Sequence, residues 1–137
     1  MARPYNTAML IRRAEEMAGT PMQMEGVKGV TMRLMVGRAD GAPTFSMRHF
    51  TVEPGGHTPL HQHNYEHEVF ILEGEGLAEE DGTHYPVRAG DVLFVRPNVL
   101  HQFVNTAPPG GSPLKFLCLV PVSFDCGGGM CQPTPGS

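Results

Sequence analysis

The chain has 137 residues, 14 acidic and 10 basic side chains and a formal net charge of −4, which fits one domain with a real core. Its basic residues are scattered apart from Arg12-Arg13, which gives no electrostatic footing for nucleic acid. No apolar run reaches membrane-spanning length, and the start of the chain lacks the features of a secretory signal, so a cytoplasmic location without membrane contact is expected.

Seventeen glycines and thirteen prolines, with Val, Ile, Phe and Thr clusters between them, predict an all-β domain of short strands joined by turns. Residues 1–29 read as an N-terminal segment. Within it Thr7–Met17 could form a weak helix with Ile11, Ala14 and Met17 on one face, and a strand pairing with another subunit would use the same residues. Strands are predicted near Val30–Val36, Phe45–Val52, His57–His63, Glu66–Glu73, Gly76–Glu80, His84–Val87, Asp91–Val95, His101–Asn105 and Leu114–Val120. Asp40-Gly41, Pro54-Gly55-Gly56, Asp81-Gly82 and Ala89-Gly90-Asp91 fall between them as turns, with Asp81-Gly82 the strongest hairpin signal. Residues 30–122 thus form the folded domain and residues 123–137 a Gly/Pro/Cys-containing tail. Cys126 and Cys131 bracket Gly127-Gly128-Gly129-Met130 and could close as a disulfide or clip a metal, although a reducing cytoplasm favours free thiols. Cys118, in the apolar run Phe116–Val120, reads as a small buried hydrophobe, or as a thiol facing the interior. Met22, Met24, Met32, Met35 and Met47 are assigned to core or interface packing.

The densest chemistry lies in His61-Gln62-His63-Asn64-Tyr65-Glu66-His67-Glu68, with His101 standing alone beyond the predicted hairpin. In an extended segment His61 and His63 would project from one face about 6–7 Å apart, close enough to converge on one ion. A neutral imidazole offers one nitrogen lone pair and uses the other nitrogen to fix its orientation. His49, His57 and His84 have no partners at ligand spacing and read as surface or hydrogen-bonded side chains.

Two segments carry a family resemblance. Gly55 through Gly74, with HxH five residues after the glycine and an acid or histidine ligand before the closing glycine, resembles the first cupin motif. Gly90-Asp91-Val92-Leu93-Phe94-Val95-Arg96-Pro97-Asn98-Val99-Leu100-His101, followed by Asn105, resembles the second. The departures are a proline one residue late and Val99 where a glycine is often found. Covering about residues 30–120, the resemblance implies a cupin double-stranded β-helix, a jelly-roll barrel, with a metal inside it. The third ligand of the first motif is either His67 or Glu68, which strand parity places on opposite faces. Parity alone does not choose; the cupin subgroup with HxHxxxHE is the more similar, which favours His67 and sends Glu68 outside the first shell.

The resemblance therefore implies one divalent ion per chain held by His61, His63, His67 and His101. Four neutral imidazoles leave the ion its full charge and suit anionic or enolisable chelating ligands, with two open positions in an octahedral shell. Manganese or iron is favoured over nickel, cobalt or zinc, zinc being the ion that prefers four-coordination. The activity expected is of oxygenase (dioxygenase-like) type on a small chelating organic substrate. A redox-neutral isomerase or lyase for sugar acids, or a non-catalytic ligand- or metal-binding module, is the alternative. Phe94, Phe103 and Phe116 are placed on the pocket wall with Cys118 nearby, and Tyr65, Glu66, Glu68 and His57 are the nearest side chains for proton transfer. A homodimer is expected. The ordinary imidazole pKa puts metal release towards about pH 5.

Overall fold

The computed structural model describes residues 9–124. Among the described residues nine strands follow in order: β1 (Thr20–Pro21), β2 (Lys28–Val36), β3 (Phe45–His57), β4 (His67–Glu73), β5 (Glu75–Glu80), β6 (Thr83–Arg88), β7 (Val92–Val95), β8 (His101–Val104) and β9 (Leu114–Pro121). All pairings are antiparallel, in the order β6-β5-β8-β3-β9-β4-β7, with β2 also on β3 and β1 on β2. The sheet curls into a half-barrel whose concave face is the core.

Alternation decides what enters that core. Along β9, Leu114, Phe116, Cys118 and Val120 are buried and the residues between them are not; along β4, His67, Val69 and Ile71 are buried while Glu68, Phe70 and Leu72 point out. Phe116 stacks on Phe50 at 5.1 Å between ring centroids and tilts against Phe103 at 4.6 Å, tying β9, β3 and β8 together. The fully buried Asn105 supplies the polar pin. Its Nδ2 donates to the carbonyls of Val52 and Ser112 and its Oδ1 accepts from the Ala107 amide, so no buried amide group is left unpaired there.

The β5–β6 hairpin turns through Asp81-Gly82, both at positive φ (46° and 89°), the backbone that a two-residue hairpin matches to strand twist. Pro54-Gly55-Gly56 is different from its sequence expectation. It is a bulge inside β3, where the register with β2 jumps from Val30↔Val52 to Lys28↔His57. Gly55 takes φ 80°, its amide donates to the Asn105 carbonyl, and the Asn105 amide donates to Gly56, so the chain continues as one strand instead of reversing.

Two other expectations are corrected. Among the described residues of Thr7–Met17 the only helical turn is the 3₁₀ turn Ala14–Glu16; of the expected apolar face Ala14 and Met17 are partly buried while Ile11 is more than four-fifths exposed, so no amphipathic helix forms there. This segment is held by polar contacts, Arg12 to Asp40 and to the Met35 carbonyl and Arg33 Nε to the Met17 carbonyl, and by the β1–β2 pairing. The predicted strand His57–His63 ends at His57, and residues 58–66 form a loop with one isolated bridge, His61↔His101. Cys126 and Cys131 lie outside the described residues. Among the described residues no helix is long and apolar enough to cross a membrane.

Candidate metal centre

The loop after β3 is laced to β8. Thr58 donates its amide to Phe103 and accepts the Phe103 amide on Oγ1, and His61 and His101 exchange both backbone hydrogen bonds. The His63 carbonyl accepts the amide of Asn98, which sits at φ 65°. Asn98 supplies the left-handed residue of the turn before His101, a conformation asparagine tolerates and valine resists, so the turn forms with Val99 in place. His67 opens β4 and His101 opens β8, and the curl of the sheet, in which β3 and β9 lie between these strands, brings both rings to the loop histidines.

The rings converge. Centroids are 4.2 Å apart for His61–His63, 4.8 Å for His61–His101, 5.1 Å for His67–His101 and 5.4 Å for His63–His67. Nitrogens of His61, His63 and His101 all lie within 4.8 Å of one another; nitrogens sharing one ion at about 2.0–2.1 Å sit roughly 3–4 Å apart. His67 stands in the same cavity but outside that group of three, with its Nδ1 3.4 Å from Cys118 Sγ. His101 has its Nδ1 3.1 Å from the Val99 carbonyl, a contact that places the proton on Nδ1 and the lone pair on Nε2. His61 Nδ1 is buried without a hydrogen-bond partner.

Burial sets the charge state. Desolvation first, then the His63, His101 and Arg48 charges, take the His61 pKa to about 3. Desolvation, then His101 and Arg48, take His63 to about 4. His67 and His101 are lowered by the same leading cause. The imidazoles are therefore neutral near pH 7, the form that ligates. Among the described residues no carboxylate lines the cavity; Met22, Met24, Arg48, Phe50, Thr58, Pro59, Tyr65, Phe103, Phe116 and Cys118 surround the four rings. Nitrogen-only donors, one with its tautomer fixed and one with an orphaned ring nitrogen, fit a borderline divalent transition ion better than calcium or magnesium, which take oxygen ligands.

Of the residues that sequence put on the pocket wall, Phe103, Phe116 and Cys118 line this cavity. Phe94 does not, and that assignment is corrected. The pairings His67↔Val95 and Glu68↔Phe94 make Val95 the inward residue of β7 and leave Phe94 half exposed under the Arg96 guanidinium, bordering a second cleft that shares His101 and Phe103 with the cavity. Glu68 likewise faces out, where partial burial and a hydrogen bond with Glu66 raise its carboxyl pKa. Of the candidates for proton transfer only Tyr65 borders the cavity, stacked between His63 at 4.6 Å and Phe124 at 4.1 Å. His57 is hydrogen-bonded beside Thr58 and His84 to Glu79, whereas His49, read as a surface or hydrogen-bonded residue, is buried on the convex face. Sequence reasoning missed Arg48, although its parity with the inward Phe50 and Val52 was a readable signal.

A curled antiparallel half-barrel with clustered histidines at one end defines a class, and residues 48–120 match the cupin domain family. The chain belongs to that family. It is 32% identical over 119 residues to an oxalate-binding protein of Thermotoga maritima, covering 83% of this chain and 94% of that protein. An L-ectoine synthase of Bordetella petrii is 28% identical over 113 residues, 81% of this chain and 80% of the synthase. Among solved structures the polyketide cyclase RemF from Streptomyces resistomycificus superposes with a TM-score of 0.77 at 31% identity, covering 84% of this chain and 80% of the cyclase.

Proposed function

We propose that this cupin holds one divalent metal ion on His61, His63, His67 and His101 and uses it to bind and transform a small chelating organic ligand. The observation that carries the reading is four buried or half-buried neutral imidazoles around one cavity that no carboxylate lines among the described residues. When bound, the ion supplies Lewis-acid polarisation and, if it is manganese or iron, a position for dioxygen. The protein's own part is orientation and exclusion. The Val99 carbonyl fixes His101, Cys118 Sγ sits against His67 Nδ1 and leaves Nε2 free, and the Phe50, Phe103 and Phe116 rings give the cavity an apolar wall. Tyr65 stays a protonated phenol near neutral pH, because burial raises its pKa, and can donate a hydrogen bond to a bound ligand.

Oxygenase-type chemistry on such a ligand is the first reading. A redox-neutral reaction is the second, supported by the likeness to a polyketide cyclase and to L-ectoine synthases; the oxalate-binding relative supports a small organic anion as ligand in either case. Elemental analysis of protein purified without added metal tests the centre. One equivalent of ion is expected in the wild type and little in His63→Ala or His101→Ala; wild-type occupancy in both variants would refute it. Oxygen uptake by the manganese or iron form with a catechol, flavonol or β-diketone marks the oxygenase, and turnover under anaerobic conditions marks the alternative. The assembly proposed is a homodimer through the convex face, where Phe70 pairs with Val92 and Leu72 and Phe94 flank them, all at least two-fifths exposed.

A further inference from the structure

Arg48 projects from β3 into the histidine cavity beside Cys118, its register partner on β9. Its commitments there are weak. Nη2 donates to Cys118 Sγ at 3.2 Å, the guanidinium carbon lies 5.0 Å from the Phe50 centroid, and Nε is buried with no hydrogen-bond partner. A thiol is a poor acceptor, and the guanidinium carries five N–H donors in a rigid fork. No ion pair between Arg48 and a carboxylate is found among the described residues. Arg48 is thus a lining residue with a permanent charge and, among the described residues, no carboxylate paired with it. The proposed ion adds two positive charges to the same cavity. Positive charge withdrawn from water without a counter-ion is costly, and a ligand that brings negative charge removes that cost.

We propose that Arg48 is the specificity residue of the cavity, its guanidinium fork gripping the carboxylate of a small ligand whose remaining oxygens reach the ion at the histidines. The assignment rests on the metal-centre reading above. A planar carboxylate matches the fork with two parallel charge-assisted hydrogen bonds, which neither the Cys118 sulfur nor the Phe50 ring provides, so the arginine can exchange them for the ligand. Size restricts the ligand further. The enclosed part of the cavity is about 50 Å³, room beside the rings for a few waters or a handful of heavy atoms of a ligand. The class of ligand is therefore a short carboxylate with a second oxygen function, such as a hydroxy, oxo or second carboxylate group, able to chelate.

The test is calorimetric titration of the Mn(II)-loaded full chain with glycolate and malonate, and with malonamide as the uncharged analogue, using wild type, Arg48→Gln and Arg48→Lys. Mn(II) stoichiometry is measured on each protein first. Wild type should bind at least one of the two acids, and Arg48→Gln should keep its Mn(II) and weaken that binding about tenfold or more, with Arg48→Lys intermediate because a point charge lacks the fork. Malonamide should bind weakly and respond little to either substitution. Affinity in Arg48→Gln within twofold of wild type would overturn the role of Arg48 while leaving the metal centre standing, as would wild type binding neither acid. Loss of Mn(II) from both variants would make Arg48 a support for the histidines and overturn the role as well. A wild type that takes up no divalent ion would bring down the centre and, with it, this assignment.

Discussion

The two faces of β4 and β9 differ by one residue of phase and by nearly all of their chemistry. Inward stand His67, Val69 and Ile71, with Phe116 and Cys118 opposite; outward stand Glu68, Phe70 and Leu72 beside the half-buried Leu117 and Leu119. The histidine cavity on the concave side is lined by imidazoles and one guanidinium with no carboxylate among the described residues, and the outward face of β4 holds carboxylates and exposed apolar side chains. Two adjacent residues, His67 and Glu68, could serve as metal ligands by chemistry alone. The pairing of β4 with β7 and β9 decides between them, because a one-residue slip would exchange every side chain across the sheet.

The contrast can be broken most severely at Phe116. Phe116→Ala removes a fully buried ring from between Phe50 and Phe103 and should cost about 3–5 kcal/mol, whereas Phe94→Ala on the convex face should cost under about 1 kcal/mol. Denaturant midpoints of the two variants at equal slope measure the difference, and equal losses would mean the two faces are not distinct.

Acid should act next. His61 and His63 have folded pKa values of about 3 and 4 against an ordinary 6.5, so on acidification the unfolded chain takes up protons before the folded one. The stability associated with these neutral imidazoles is complete above about pH 6.5 and drains as pH falls towards 4. The slope is at most about 1.4 kcal/mol per pH unit for each imidazole. Burial also moves proton competition for the ligands below the pH 5 expected from ordinary imidazoles, so metal should leave together with unfolding instead of ahead of it. Urea midpoints of metal-free protein at pH 7, 6 and 5 should decline steadily; a flat profile would mean that the rings are not held neutral by burial.

The smallest change in fold stability, but a clear one in assembly, is expected from Phe70→Lys with Phe94→Lys. Light scattering should show a dimer for wild type and a monomer for the double variant, with the folded spectrum retained. A wild-type monomer at micromolar concentration would reduce the apolar convex face to ordinary surface.

Much of the arrangement is legible before folding where local chemistry and tertiary context agree. The alternation from Leu114 to Val120 reads as a half-buried strand, Asp81-Gly82 reads as a tight hairpin, and the two histidine motifs read as parts of one centre. Legibility ends where pairing sets the outcome. Phe94 and Val95 are equally apolar, and only the partner His67 makes Val95 the inward one. Pro54-Gly55-Gly56 has turn composition, yet its hydrogen bonds to Asn105, fifty residues on in the chain, keep β3 running. Thr7–Met17 has a helical pattern, yet its described part forms only the single turn Ala14–Glu16 and leaves Ile11 exposed. Arg48 shares the parity of Phe50 and Val52, a signal present in the sequence, but a strand arginine is ordinarily solvated and the β3–β9 register is what sets it beside Cys118.

Metal affinity of His67→Ala compared with Glu68→Ala tests the centre most directly, since the two residues are neighbours in sequence and sit on opposite faces of one strand. With four imidazoles as ligands, the alanine at 67 should weaken Mn(II) binding at least about tenfold and the alanine at 68 should leave it within about twofold. The reverse order, with Glu68 the residue whose loss releases the ion, would contradict the account.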